Sequence, residues 1–428
     1  MSVLSAPFLE TPSPADRSMP LDDTQSVPAS RPLEGIRVID LTLALAGPLC
    51  TQRLGDMGAE VIKIEGPRRP DFTRRAPMLD TWLGGETTPY LSINRNKKSV
   101  AIDLKSPQGH ALLMRLVAGA DVVVQNMRPG AAERLGITFE SLKAANPKIV
   151  YVSISGYGDS GPMVPRPGQD LLVQSFSGTT FNAGTSDGLP HPSPIYLVDV
   201  AASHNACEAV LAGLIQRDRQ GIPVAAKVSL LQAVLEIQIQ EITTYLSTGK
   251  YAPRGTSPYA STWMEPPYGI YKTADGHMAI AQADLGVIAE VLGSDELAAK
   301  AKARPDPAAT KAFGAWRDSI YPLLQTLLAD RQSEPTIDAL TARDVWCGPV
   351  LDYAGLAAHP QSAGLFADVV HPRAGTLRTL APVIRFSTAP EPVLNPPPGL
   401  GQDTDAVLAA LGLAAAEINT LKQEGVVA

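Results

Sequence analysis

Between Ile36 and Ser155 short runs of β-branched and aliphatic residues alternate with longer stretches of helical character, and this alternation constrains the fold more than any other feature. Ile36-Arg37-Val38-Ile39-Asp40-Leu41 is nearly continuous in its apolar residues, as a strand covered on both faces must be. Ala46-Gly47-Pro48 opens a helix with proline in its first turn, and Met57-Gly58 closes it with glycine just past the end. Val61-Ile62-Lys63-Ile64-Glu65 then completes a βαβ unit. The pattern continues with a helix over 107–118, a strand over 121–125, a helix near 131–146 and a strand over 149–155. It predicts an α/β fold with a Rossmann-like, doubly wound large domain, whose ligands lie beyond the carboxyl ends of its strands.

A chain of 428 residues exceeds what a single core usually serves, so a second, smaller α+β domain is expected. Helices are predicted over 199–217 and 229–247, followed by a loop over 254–267. A β-hairpin then turns on Ala274-Asp275-Gly276, and 346–350 reads as a further strand. Pro-rich residues 390–399 read as a linker, and the last helices, over 404–422, are expected to return to the first domain. The boundaries drawn are a flexible tail over 1–32, a large domain over 33–225 completed by 395–428, a linker helix region over 226–262, a small domain over 263–365 and a return linker over 366–394. The Ser-, Pro- and Asp-rich first segment reads as a mobile tail or an adapted start.

Composition excludes several classes of partner. Lys and Arg number 36 against 43 Asp and Glu, a net charge of -7, so nucleic acid finds no broad attractive surface and any bound anion needs a local cluster. No apolar run reaches the ~18 residues of a membrane span, and no charged leader precedes an apolar segment, so no membrane association is expected. Cys50, Cys207 and Cys347 lie far apart without metal or disulfide spacing, which fits a reducing cytoplasm.

Gly156-Tyr157-Gly158-Asp159-Ser160-Gly161 spells a dinucleotide fingerprint, but Pro162, Pro165 and Pro167 prevent the helix such a site must open, so a loop is predicted. Basic residues gather after predicted strands, among them Arg74, Lys97, Lys98, Lys105, Arg128 and Arg134. They could surround the phosphates of a nucleotide-like ligand or be ordinary solvated charges. Asp199 follows Ile195-Tyr196-Leu197-Val198 at a helix start, where a carboxylate serves as a cap or as a nucleophile favoured by the helix N-terminus. Asp170 is a possible acid–base partner or another cap. His191 and His204 fit no metal spacing.

The chain resembles the family III CoA-transferases (CaiB/BaiF family), the group that includes formyl-CoA transferase and carnitine CoA-transferase. The resemblance rests on 35-GIRVIDLT-42 leading into Ala46-Gly47-Pro48, 58-GAEVIKIE-65, 94-NRNKKS-99, Asn126-Met127-Arg128-Pro129-Gly130, Asp170-Leu171-Leu172-Val173-Gln174 and Pro267-Tyr268-Gly269-Ile270-Tyr271. It implies a CoA-transferase moving CoA from an acyl-CoA to a free carboxylic acid, in an interlocked homodimer, with Asp199 as nucleophile and Asp170 supporting. CoA contacts are implied at Leu45, Ala46, Ile102, Lys105, Asn126, Met127 and Arg134, and Arg74 and Arg128 join them from the basic groups. No metal and no cofactor beyond CoA as substrate is expected. The α-methylacyl-CoA racemases share the fold but carry a proton-exchanging histidine where this chain has Gln169, which cannot exchange a proton at neutral pH. A racemase-like enzyme and a non-catalytic CoA-binding protein are the alternatives. The chain departs from formyl-CoA transferases at Leu45, where they have glutamine, and at Arg254-Gly255-Thr256-Ser257, where they have consecutive glycines.

Overall fold

The structure is a computed structural model that describes residues 30–257, 261 and 263–428; residues 1–29 of the expected tail, together with Pro258 and Tyr259 of the expected loop, lie outside the described residues. Its centre is a six-stranded sheet of β1 (Arg37–Leu41), β2 (Glu60–Glu65), β3 (Lys97–Ala101), β4 (Val122–Gln125), β5 (Val150–Ser155) and β6 (Val224–Ser229). Every neighbouring pair is parallel and the spatial order is β3-β2-β1-β4-β5-β6, the doubly wound order expected of a Rossmann-like domain. Val38, Ile39, Val122, Val123 and Val124 are fully buried, as central strands covered by helices on both faces require.

The edge strands β3 and β6 are absent from the sequence prediction. Each has fewer covered neighbours, so β3 opens on Lys97-Lys98 and β6 alternates half-buried with exposed residues instead of forming an apolar run. The helix expected over 131–146 is two, Ala131–Arg134 and Phe139–Ala145, because Gly136 takes a left-handed φ of 64° and Thr138 caps the second by accepting from Ser141 N–H. Likewise 229–247 divides at Gln238 into Leu230–Ile237 and Ile239–Thr248. The glycine-rich segment is a loop, as predicted. A Cβ on Gly156 would lie 2.5 Å from Gly168 Cα, so these glycines let two backbone segments touch.

A second core surrounds Tyr271, Ile288, Ile320 and Leu324, under a three-stranded sheet of Gly269–Lys272, His277–Ile280 and Cys347–Pro349. The hairpin on Ala274-Asp275-Gly276 forms as expected. The expected return linker over 366–394 instead contains a hairpin, Phe366–His371 with Gly375–Leu380. Its turn is closed by His371, whose Nδ1 accepts N–H groups from Arg373 at 3.1 Å and Ala374 at 2.9 Å. The final helices, Thr404–Ala410 and Ala415–Gln423, pack Leu408 and Ile418 into the core that holds Ile62, Val100 and Leu113. Among the described residues no helix is long and apolar enough to cross a membrane.

Beneath the carboxyl ends of β1–β3 runs a buried ionic network. Asp40 Oδ2 accepts from Lys97 Nζ at 3.0 Å and Thr51 Oγ1 at 2.7 Å, and Lys63 Nζ donates to Asp71 Oδ2 at 3.1 Å and to Thr42 O at 2.7 Å. Glu65 receives Arg74 through two parallel N–H bonds of 2.8 and 2.7 Å. Burial raises the Asp40 carboxyl, but Lys97, Lys63 and the Thr42 and Thr51 hydroxyls outweigh it and hold the group well below the usual carboxylate range. Replacing Asp40 by alanine strands Lys97 as an unpaired buried charge, and the expected loss is about 3–5 kcal/mol, read as a lowered urea midpoint at neutral pH.

Candidate active site

The sheet order reverses at β1, so the chain leaving β1 and the chain leaving β4 turn toward opposite faces and open a crevice at their carboxyl ends. Asn126 ties its two sides together: Nδ2 donates to Leu43 O at 2.7 Å and Oδ1 accepts Leu43 N–H at 2.9 Å. The β1 loop then passes through Ala44 at a φ of 67° and delivers Leu45 to the N-cap and Ala46 to the first position of the Ala46–Asp56 helix. Gly47 is required there, since a Cβ would fall 2.3 Å from Thr42 Cβ. Beyond β4, half-buried Met127 and exposed Arg128 border a cavity of about 430 Å³, shared with Phe139, Tyr151 and Lys227. Leu45, Ala46, Asn126, Met127 and Arg128 therefore occupy one end of the sheet. Arg134 is exposed on the short helix that follows, with Nη1 3.0 Å from where a Gly130 Cβ would stand.

Other predicted residues fall elsewhere. Arg74 is not a free cation: its four hydrogen bonds go to Glu65 (two), Pro398 O and Tyr90 Oη, and its guanidinium lies 3.7 Å from the Tyr90 ring centroid. With its donors committed inward, it ties the chain's return to the first domain. Lys97 is likewise buried on Asp40. Ile102 is fully buried and pairs with Val427 in an antiparallel bridge, whereas Lys105, after β3, is exposed.

The helix Leu197–Gln220 connects β5 to β6 and runs against the strands, so its first turn, with Asp199, lies at the same carboxyl edge. The N-cap Tyr196 supplies no side-chain acceptor. Buried Asp170 replaces it, its Oδ2 accepting Val198 N–H at 2.9 Å and Asp199 N–H at 3.1 Å, while Oδ1 accepts from Gln174 Nε2 at 2.5 Å. Asp199 is half-buried, and burial, with the neighbouring Asp170 charge added, pushes its carboxyl up to about 7. Gln169 is exposed at the start of the Asp170–Phe176 helix and makes no capping bond.

The family model for CoA-transferase family III matches residues 33–404. The chain belongs to this family. This CoA-transferase is 33% identical over 385 residues to the succinyl-CoA:glutarate CoA-transferase of Mus musculus, covering 88% of this chain and 86% of that protein. It is 31% identical over 427 residues to the succinyl-CoA–L-malate CoA-transferase alpha subunit of Chloroflexus aurantiacus, covering 96% and 97%. The crystal structure of a CaiB/BaiF family protein from Brucella suis matches with a TM-score of 0.76 at 30% identity, over 89% of this chain and all of that one.

Two features of the transferase escaped the sequence reading. Lys63 interrupts the apolar run of β2, and a charge in a strand buried on both faces requires an internal partner. Gln174 stands four residues after Asp170 on one helix face and links it onward, its Oε1 accepting Ser193 N–H at 2.8 Å. Because Asp170 contributes to the raised Asp199 value, Asp170→Asn is expected to lower the Asp199 pKa below about 7, measured by carbon-13 NMR titration of the side-chain carboxyl.

Proposed function

We propose that the enzyme transfers CoA through covalent intermediates on Asp199. The observation that carries this reading is a carboxylate at the ligand-binding edge, raised to about 7 and without a cationic partner among the causes of its shift. A carboxylate made more basic by burial is a stronger nucleophile, and partial desolvation favours its attack on a neutral thioester.

In the first step an Asp199 oxygen attacks the donor thioester carbonyl, the C–S bond breaks and CoA leaves as thiolate, giving a mixed anhydride. The thiolate then attacks the aspartyl carbon, expelling the donor acid and forming an aspartyl–CoA thioester. An acceptor carboxylate attacks that carbon and again expels thiolate, leaving a second anhydride. Attack of the thiolate on the acceptor acyl carbon yields the new acyl-CoA and returns Asp199 as carboxylate. A carboxylate enters and a carboxylate leaves, so the cycle takes up no net proton and calls for no metal or further cofactor.

CoA is seated in this reading by Leu45, Ala46, Asn126 and Met127 at the crevice, with Arg128, Arg134 and Lys105 toward its phosphates. Asp170 positions Asp199 without taking part in bond changes. Gln169, an exposed amide, gives the site no second proton-exchanging base, which favours transfer over racemisation. We further propose an interlocked homodimer acting in the cytoplasm. The exposed apolar residues Leu171, Leu172, Phe176, Ile237, Ile239 and Tyr245 offer a surface for a second copy to cover, and the three cysteines are free thiols.

Incubation with acyl-CoA and hydroxylamine is expected to leave a hydroxamate on Asp199, located by peptide mass spectrometry. Asp199→Ala should lose activity by at least ~1000-fold; full activity in that variant overturns the reading. Since the ion reacts, kcat/KM should fall as pH drops below about 7. The folded pKa lies above the ordinary 3.8, so ionised Asp199 weakens the fold above pH 7, and the penalty disappears as pH falls toward the unfolded value. Asp199→Asn is thus expected to raise Tm by about 2–4 °C above pH 7 in thermal scans, with the gain shrinking in acid.

A further inference from the structure

We propose that Lys227 is a ligand for a phosphate of CoA, and that Asp159 occupies it until the nucleotide end of CoA enters the cavity beyond β4. The inference deepens, and rests on, the reading that CoA is seated at the carboxyl edge of the sheet.

The strand register builds the site. Gln125 of β4, Ser153 of β5 and Lys227 of β6 are partners in one row across three parallel strands, so their side chains share a face at the carboxyl end. Gln125 Nε2 donates to Tyr151 Oη at 2.9 Å, which holds Tyr151, two residues before Ser153, on that same face. The helix Phe139–Ala145 lays Leu142 into the core on this side, which takes in Tyr151 and Phe139 but, among the described residues, nothing from β6. Instead β6 turns Val224, Ala226 and Val228 into the core under the Asp199 helix and leaves Ala225 and Lys227 exposed. The cavity of about 430 Å³ is the result, a trough along the ends of β4–β6 where the outer strand has no cover.

Charge and shape point to its occupant. Arg128 follows β4 and Lys227 belongs to β6, so the two cations line the trough from chains two strand spacings, or roughly 10 Å, apart. Glu133 and Asp159 also line it, and Asp159 is held by Lys227 in an ion pair. That pair is a weak one, because its side chains are 70% and 65% exposed and water screens them. Lys227 is a compact charge on a flexible stem, so it can leave the carboxylate for a phosphate, which carries more charge and more acceptor oxygens. Asp159, exposed in the glycine-rich loop, then turns to solvent. CoA is broad and anionic at its nucleotide end and slender along its pantetheine arm. A trough that sets Met127 and Phe139 between two cations suits the nucleotide end and leaves the arm to the crevice between β1 and β4.

The test is calorimetric titration of CoA into the full-length enzyme and its variants, with no acyl donor present, so that no Asp199 adduct intervenes. Lys227→Gln should weaken CoA binding by about 10-fold, the size of one charge-assisted hydrogen bond, and Lys227→Arg should stay within about threefold of the unmodified enzyme. Asp159→Asn should tighten binding by about two- to fivefold, and that gain should vanish when Lys227→Gln is added. Titration with dephospho-CoA assigns the contact. A loss shared by both ligands places Lys227 on the diphosphate, a loss confined to CoA places it on the 3′-phosphate, and either supports the proposal. CoA affinity indifferent to Lys227, or lost equally in Lys227→Gln and Lys227→Arg, overturns it. An Asp159→Asn gain that is absent, or that persists without Lys227, overturns the part given to Asp159. Failure of the unmodified enzyme to bind CoA at all overturns the underlying CoA seat instead, so the two readings fail separately.

Discussion

The arrangement of this molecule depends on charges buried beneath one end of its central sheet. Asp40, Lys97, Lys63, Asp71, Glu65 and Arg74 form a run of ion pairs on and beside β1–β3, each also hydrogen-bonded to backbone or hydroxyl groups. Such pairs seldom add net stability over an apolar core, because removing the ions from water offsets their attraction. Their strength here is directional. Asp40 accepts the Thr42 N–H at 2.9 Å and Lys63 donates to Thr42 O, so the β1 loop has one path, and that path places Leu45 and Ala46 at the crevice. The network also reaches across the sequence. Arg74 and Tyr90 both donate to Pro398 O, and Ser99, which donates to Glu65, accepts Gly401 N–H, so the returning chain is fastened by the ions that shape the β1 loop.

Asp199 follows the opposite rule, and the contrast supports its proposed role as nucleophile. Asp40 is buried with cations and held low, whereas Asp199 is half-buried facing another carboxylate and pushed up to about 7. Perturbation of this second kind yields no structural gain, since ionising the group weakens the fold. Retained strain of that sort is characteristic of reacting groups.

Much of this was legible in the sequence where one physical cause dominated. The central strands β1, β2, β4 and β5 announced themselves because burial on both faces demands continuous apolar residues. The edge strands did not, because Lys98 of β3 and Lys227 of β6 are free to face solvent. Asp199 and Asp170 could be named, but their relation could not, since it arises when a helix at 170 comes to cap another 29 residues later. Arg74 and Lys97 read as phosphate ligands or as solvated charges, and both readings missed their burial because sequence shows charge and hides burial. Glu65, nine residues before Arg74 at the buried end of β2, was the sign that the guanidinium had a protein partner.

Among the helices that begin at the carboxyl edge of the sheet, Ala46–Asp56 and Leu197–Gln220 differ in their first turns, and the difference explains how one edge can serve two tasks. A helix start leaves N–H groups in need of acceptors and carries partial positive charge. At Leu197–Gln220 the need is met internally: both oxygens of Asp170 are engaged, one of them by Val198 and Asp199 N–H, which leaves that end electrically closed and holds the Asp199 backbone rigid. At Ala46–Asp56 the cap is Leu45, which has no side-chain acceptor to offer, so this end remains open toward the crevice. An open helix end favours an anionic or carbonyl-bearing ligand, while a closed one suits a side chain that must change its covalent state without losing position. Exchanging Asp170 and Leu45 between the two ends would remove both properties together, which is why the proposed CoA seat and the proposed nucleophile need different caps on neighbouring helices.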